Sequence, residues 1–332
     1  MILAGDIGGT KTVLSLLIKE PNGSLTCLQE QTYSSQQFPT FDDILTAFLP
    51  AAVAIKSACF GVAGPVVNQR CQTTNLPWLL DAAALKIKLG TSKVKLLNDL
   101  EAMALGMLYL PKQDLIELNA EAEPQAGNIA VIAAGTGLGE AILYWDGNKH
   151  HPIATEGGHS DFAAQNIQQD LLLAYLRKLT PDHVSYERIL SGIGFSHLYD
   201  FFCTQGFAPC PDVPELTGGI DRNAVISSLG VAGEDPCCTE AVKLFVELYG
   251  AETGNLALKS MATGGVYIGG GIAPKILQAL QNGQFIQAFK AKGRLGALLN
   301  KVSVKLSLNP RTPIIGAINY FDFEVDSVLP EQ

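Results

Sequence analysis

The chain has 332 residues, 47% hydrophobic and 17% charged, so it can bury more than one core and lacks the composition of a disordered chain. Its formal net charge of −9, with no broad basic stripe, argues against a binder of the nucleic-acid backbone. An anionic small molecule remains compatible, because backbone N–H groups and a bound cation supply local positive potential. The first residues, Met1 to Asp6, show no basic start followed by an apolar run, so a secretory leader is not expected. Apolar stretches elsewhere are broken by Gly, Pro or charge before membrane-spanning length. The seven cysteines are odd in number and irregular in spacing, without a CxxC, which predicts reduced thiols in a cytoplasmic protein. Cys237 and Cys238 are adjacent but have no second ligand pair nearby, so no zinc site is predicted.

In chain order, residues 2–18 read as strand, glycine-rich turn, strand, and Asn22-Gly23 turns the chain into a third strand over 25–32. A helical pattern covers 41–54, an apolar strand 58–63 ends at Gly64-Pro65, and a helix over 81–89 leads to a strand over 94–97. A helix carrying Ala102, Leu105 and Leu108 is predicted to start at Asn98, at the strand end. Pro111, Pro124 and the acidic patch 121–123 mark a soft boundary over 111–127. The opening theme then returns as a strand over 128–133, a glycine-rich turn, a strand over 140–145 and the turn Asp146-Gly147. Helices are predicted near 168–178, 194–202, 221–229 and 237–261, then a strand over 266–268, a glycine cluster, a strand over 302–306 and a helix over 313–323. Two strand–loop–strand units far apart in sequence predict two related α/β domains rather than a short-period repeat.

Each glycine cluster has two readings. In Gly5-Asp6-Ile7-Gly8-Gly9-Thr10-Lys11-Thr12, glycines let backbone N–H groups approach phosphate oxygens, Thr10 and Thr12 offer hydroxyls, and Asp6 offers a carboxylate to Mg²⁺ through water. A tight hairpin needing glycine explains the segment as well, and the pattern is not a Walker A loop. Gly135-Thr136-Gly137-Leu138-Gly139 fails as a dinucleotide fingerprint, because the third glycine comes one place early and a strand follows instead of a helix. Leu97-Asn98-Asp99 puts a carboxylate at a strand end, suited to accepting a hydroxyl proton, although Asn and Asp are also ordinary helix caps. Glu156-Gly157-Gly158-His159 and Glu187 are suited to sugar hydroxyls, against the plainer readings of a turn and a solvated helix start. The uncharged, glycine-rich stretch 260–274 lets backbone pack against an adenine, or is simply a buried strand with its loop.

Together these motifs, with Glu187-Arg188-Ile189-Leu190-Ser191-Gly192 and Gly269-Gly270-Gly271-Ile272, closely resemble the bacterial glucokinase family over residues 2–321. The resemblance implies an α/β fold of two ribonuclease H-like, actin-like ATPase domains flanking a central cleft. The boundaries expected are 1–110 for a small domain, completed by a C-terminal helix over 310–332, and 111–309 for a large one. It implies transfer of the ATP γ-phosphoryl group to the 6-hydroxyl of glucose with Mg²⁺. Asp99 would be the general base, and Asn98, Asp99, Glu156, His159 and Glu187 would bind glucose. Gly5, Asp6, Ile7, Gly8, Gly9, Thr10, Gly135, Thr136 and Gly137 would face the phosphates, and Gly269, Gly270 and Gly271 would lie near the adenosine. Lys11 stands where some relatives carry Asn and receives no role. The related repressor–kinase family adds a cysteine-rich zinc site that this sequence lacks. A homodimer is implied by the resemblance alone. The alternatives are a kinase for another hexose and a sugar sensor of the same fold without turnover.

Overall fold

A computed structural model describes residues 1–50, 53–73, 75–216 and 220–325. The chain divides into two compact units, Met1–Lys112 with the segment from Asn309 onward, and Gln113–Leu308. The last seven residues of the C-terminal helix expected over 310–332 lie outside the described residues.

The first unit is built on β1 (Ile2–Ile7), β2 (Lys11–Lys19), β3 (Leu25–Ser34), β4 (Ser57–Val62) and β7 (Val94–Asn98), in the order β3-β2-β1-β4-β7. The first three form an antiparallel meander, and β4 and β7 add in parallel. A short hairpin of β5 (Arg70–Gln72) and β6 (Leu79–Asp81) forms a separate two-stranded sheet. Helix α1 (Phe41–Phe48) begins at a capping box between Thr40 and Asp43. It stops six residues short of the predicted end, because Leu49 precedes Pro50 and takes an extended conformation. Asp81 caps α2 (Ala82–Leu89), which ends on the left-handed Gly90.

Helix α3 (Asp99–Met107) packs against the C-terminal helix, Thr312–Val325, and both lie on β4. The crossing is close: a Cβ on Gly106 would overlap the Thr312 carbonyl, and one on Gly316 the Ala102 carbonyl. On the core of this unit, Phe41 packs edge-on against Phe60 with ring centroids 5.3 Å apart.

The second unit carries a six-stranded sheet in the order β11-β10-β9-β12-β13-β8, from β8 (Leu115–Glu117), β9 (Ile129–Ala134), β10 (Leu138–Trp145), β11 (His150–Ala154), β12 (Gly265–Gly269) and β13 (Val304–Ser307). Strands β9 to β11 form an antiparallel meander, and β12 and β13 follow in parallel. This repeats the topology of the first sheet, as the doubled strand–loop–strand pattern predicts. Strand β8 is the addition: it falls in the stretch read as a boundary and pairs antiparallel with β13.

The longer helices of this unit are α4 (Ile167–Leu179), α5 (Gly192–Thr204), α6 (Arg222–Ala232) and α7 (Pro236–Ser260), with shorter ones over Leu277–Leu280, Gln284–Lys290 and Gly296–Leu299. Asp235 caps α7 and Pro236 opens it, where a missing N–H costs nothing. Helix α7 lies against β9 and β12, and Phe195 of α5 stacks on its Phe245 at 4.3 Å. Among the described residues no helix is long and apolar enough to cross a membrane.

Candidate active site

In the first unit, the parallel register sets Ile7, Val62 and Asn98 side by side, so the turn after β1 and the Asn98-Asp99 pair share one end of the sheet. Gly5, Asp6 and Ile7 close β1, and Gly8, Gly9 and Thr10 make the turn. The Gly8 N–H donates to the Lys11 carbonyl at 2.9 Å, and the Thr10 carbonyl accepts from Ser35 N–H at 2.9 Å. Ser35 Oγ donates to the Gly8 carbonyl at 2.7 Å and lies 2.9 Å from the buried Thr12 hydroxyl. Thr12 therefore braces the turn from inside, whereas Thr10 is exposed. Burial pushes the Asp6 carboxyl above the ordinary range, and Lys11 partly offsets this. Among the described residues no three His, Cys, Asp or Glu groups gather to hold a metal. A single desolvated carboxylate beside a glycine-rich turn is a donor set that fits Mg²⁺, an ion that keeps several of its waters.

Asn98 caps α3: its Oδ1 accepts from Leu100 N–H at 2.9 Å, and its own N–H donates to Glu101 at 2.9 Å. The Asn98 amide also donates to the Gly64 carbonyl at 3.1 Å. The cap reading of Asn98 is therefore satisfied in the structure. Asp99, the first residue of α3, accepts from Leu100 N–H at 2.9 Å, and the helix N-terminus favours its negative charge. Its field reaches the buried Cys71 thiol, which is pushed up first by burial and then by Asp99.

In the second unit, β9 and β12 run parallel with Ala133 opposite Gly269, so residues 135–137 and 269–271 leave the sheet at one end. Gly270 has φ of +84° and a Cβ there would overlap the Ala134 carbonyl, so only glycine lets the two loops approach this closely. The Ala134 carbonyl also accepts from Ile272 N–H at 3.2 Å, and the Gly135 carbonyl from Gly192 N–H at 2.8 Å. Glu187 lies on the short turn Tyr186–Arg188, and its Oε2 accepts from Leu138 N–H at 3.0 Å. Its Oε1 lies 3.9 Å from His159 Nδ1, and the His159 side chain is 58% exposed. Glu156 precedes the turn Gly157–His159, which packs against the Glu187 turn. The structure therefore brings Gly135, Thr136, Gly137, Glu156, His159, Glu187, Gly269, Gly270 and Gly271 to one end of one sheet.

The glucokinase family model matches residues 3–323. The chain is 39% identical to the glucokinase of Trichormus variabilis over 96% of its own length and 97% of that protein. It also matches the crystal structure of a glucokinase from an Antarctic psychrotroph at 30% identity, with a TM-score of 0.83, covering 98% of this chain and 99% of that one. The chain belongs to the glucokinase family. It is an ATP-dependent hexose kinase that converts glucose to glucose 6-phosphate. A glucokinase from Balamuthia mandrillaris, solved in complex with glucose, shares the fold at a TM-score of 0.75 and 19% identity, over 96% of this chain and 92% of that one.

Sequence reasoning missed what lies beneath these glucokinase-family motifs. Glu140 and Glu252 are buried next to the Glu156 and Glu187 turns. Glu140 stands where a dinucleotide fingerprint wants Gly or Ala, and that mismatch was the one signal available.

Proposed function

We propose that Asp99 is the general base that takes the proton of the glucose 6-hydroxyl as the γ-phosphoryl group moves to it. The observation that carries the assignment is its place: the first residue of α3, at the sheet end that also bears the turn at Gly8, Gly9 and Thr10. Strand ends of α/β sheets are where ligands dock. In phosphoryl transfer the proton leaves as the bond forms, so a carboxylate held in place suffices as the acceptor. Leu100 N–H fixes one Asp99 oxygen, which orients the other.

Asn98, Glu156, His159 and Glu187 then hold the remaining hydroxyls. Carboxylates accept two hydroxyl hydrogen bonds each, and His159 donates one and accepts one. The turn at residues 5–10 and the loop 135–137 take the phosphates through backbone N–H groups, and 269–271 take the adenosine. Mg²⁺ enters with ATP as part of the substrate and neutralises phosphate charge, with Asp6 as its protein partner through water. We read the two units as the small and large domains of the family, and the site as cytoplasmic, supported by seven free thiols. The homodimer carried over from the resemblance is tested by sedimentation, where a single species of 35.3 kDa overturns it.

The deciding experiment measures ADP release from Mg·ATP with and without glucose, for the wild type and Asp99→Asn. Glucose-dependent release that collapses in Asp99→Asn, with glucose binding kept, supports the base. Near-wild-type turnover in Asp99→Asn reduces Asp99 to a cap or a sugar contact.

A further inference from the structure

Two carboxyls that take no part in the reaction are buried in the second unit, Glu140 at 2% exposure on β10 and Glu252 at 0% on α7. They lie within hydrogen-bonding reach of each other, yet Glu140 Oε1 has no partner when both are anions. On its other side Glu140 supports the turn that carries Glu156. A Cβ on Gly157 would overlap Glu140 Oε2, so the turn rests directly on that oxygen. The Glu140 carbonyl accepts from Thr155 Oγ1 at 2.8 Å, and the same Oγ1 accepts from Gly157 N–H at 3.2 Å.

Glu252 extends the support to the second sugar-facing turn. It accepts from Asn255 Nδ2 at 2.8 Å and Lys259 Nζ at 3.3 Å, and it bonds the hydroxyl of Tyr186, the residue before Glu187. Asn255 Nδ2 also reaches the Tyr186 hydroxyl at 3.2 Å, and Lys292 Nζ closes the cluster on Asn255 Oδ1 at 2.6 Å. One buried acid pair thus underlies both turns.

We propose that Glu140 is a positioning residue for glucose: a neutral carboxylic acid that hydrogen-bonds Glu252 and forms the floor on which the Glu156 and Glu187 turns are presented. Two adjacent buried anions cannot both persist, and a proton on Glu140 turns the repulsion into a hydrogen bond. Burial first, and then the Glu252 charge, push the Glu140 carboxyl from 4.5 up to about 8, with Lys259 opposing. The groups around the pair are Tyr249, Glu252 and Lys259 of α7, Tyr186, Lys292, and Glu156 and His159 above. Above that pH the floor carries two negative charges beneath the sugar-facing turns.

This inference rests on the sugar-binding reading of Glu156 and Glu187, and the test separates the two. The full-length wild type, Glu140→Gln, Glu140→Ala and Glu156→Ala are compared by steady-state kinetics in both substrates from pH 6 to 9. Glu140→Gln reproduces the neutral acid and keeps the glucose KM near wild type at neutral pH. Wild-type kcat/KM for glucose falls as pH rises through about 8, and that limb is absent in Glu140→Gln. Glu140→Ala raises the glucose KM about tenfold with the ATP KM unmoved, as expected when polar sugar contacts are misaligned. An alkaline limb unchanged in Glu140→Gln overturns the proposal, even if Glu140→Ala does not fold. So does a Glu140→Ala protein whose KM for glucose is unchanged, or whose two KM values rise together. If Glu156→Ala also leaves the glucose KM unmoved, the sugar-site reading itself fails; if Glu156→Ala raises it and Glu140→Ala does not, the floor alone fails.

Discussion

The two units hold their site residues in different ways. In the first, Asn98, Asp99, Leu100 and Glu101 satisfy one another within three residues of chain, and Asn98 makes one further bond to Gly64. In the second, the supports are distant in sequence: Glu187 on Leu138, the Thr155 hydroxyl on Glu140, and Glu140 on Glu252. A helix cap is a local device that positions a carboxylate without help from the core. A carboxylate on a short turn has no such device, so a buried polar layer must hold it, and a layer of that kind is stable only when its protons are placed correctly.

The comparison can be broken first at Asp99. Asp99→Asn should lower kcat by roughly two to four decades, the range for a general base, and leave glucose binding close to wild type. Isothermal titration with glucose, beside the turnover assay, reads both quantities. In the second unit, Glu187→Gln should lower kcat/KM for glucose by roughly one to two decades. A glutamine keeps an oxygen that accepts from Leu138 N–H, so Glu187→Gln, like Glu156→Gln, should leave the ATP KM near wild type. A raised ATP KM in Glu187→Gln would mean that its effect reaches beyond the sugar contacts.

The buried layer also predicts how stability follows pH. The Glu140 carboxyl is raised in the folded protein, from 4.5 to about 8, so the folded state holds a proton that the unfolded chain releases. Its contribution is complete below about 4.5, declines as pH rises, and is lost beyond about 8. The melting temperature of the wild type should therefore fall between pH 5 and 8.5 by more than that of Glu140→Gln. Matching profiles would mean that Glu140 ionises freely. The smallest effect is expected at Glu101, where Glu101→Ala removes one half of the capping box at a cost of about 1 kcal/mol and should scarcely alter turnover. A large loss of kcat there would mean that the cap tunes Asp99 rather than only seating it.

What could be read in advance follows the same division. Asn98 and Asp99 were legible because a strand running into a capped helix is a local pattern. The two glycine turns were legible because each sits between two apolar strands. Strand β8 was not, since three residues carry no periodicity and only pairing with β13, nearly the whole second unit away in sequence, makes them a strand. Thr12 looked like a hydroxyl offered to phosphate, but strand alternation turned it inward onto Ser35. Glu140 read as an acidic residue at the start of a strand, because nothing local to it announces Glu252.

The doubled strand–turn–strand plan, the strand-end position of Asp99 and the family of the motifs are readable from the order of residues, because these rest on hydrophobic period, turn chemistry and capping over a few residues. Which carboxylates share a floor, which hydroxyls face inward and which glycines must remain bare emerge once the chain is folded. Those depend on burial and on contacts between residues distant in the chain, and a buried charge declares its protonation only when its neighbours are known.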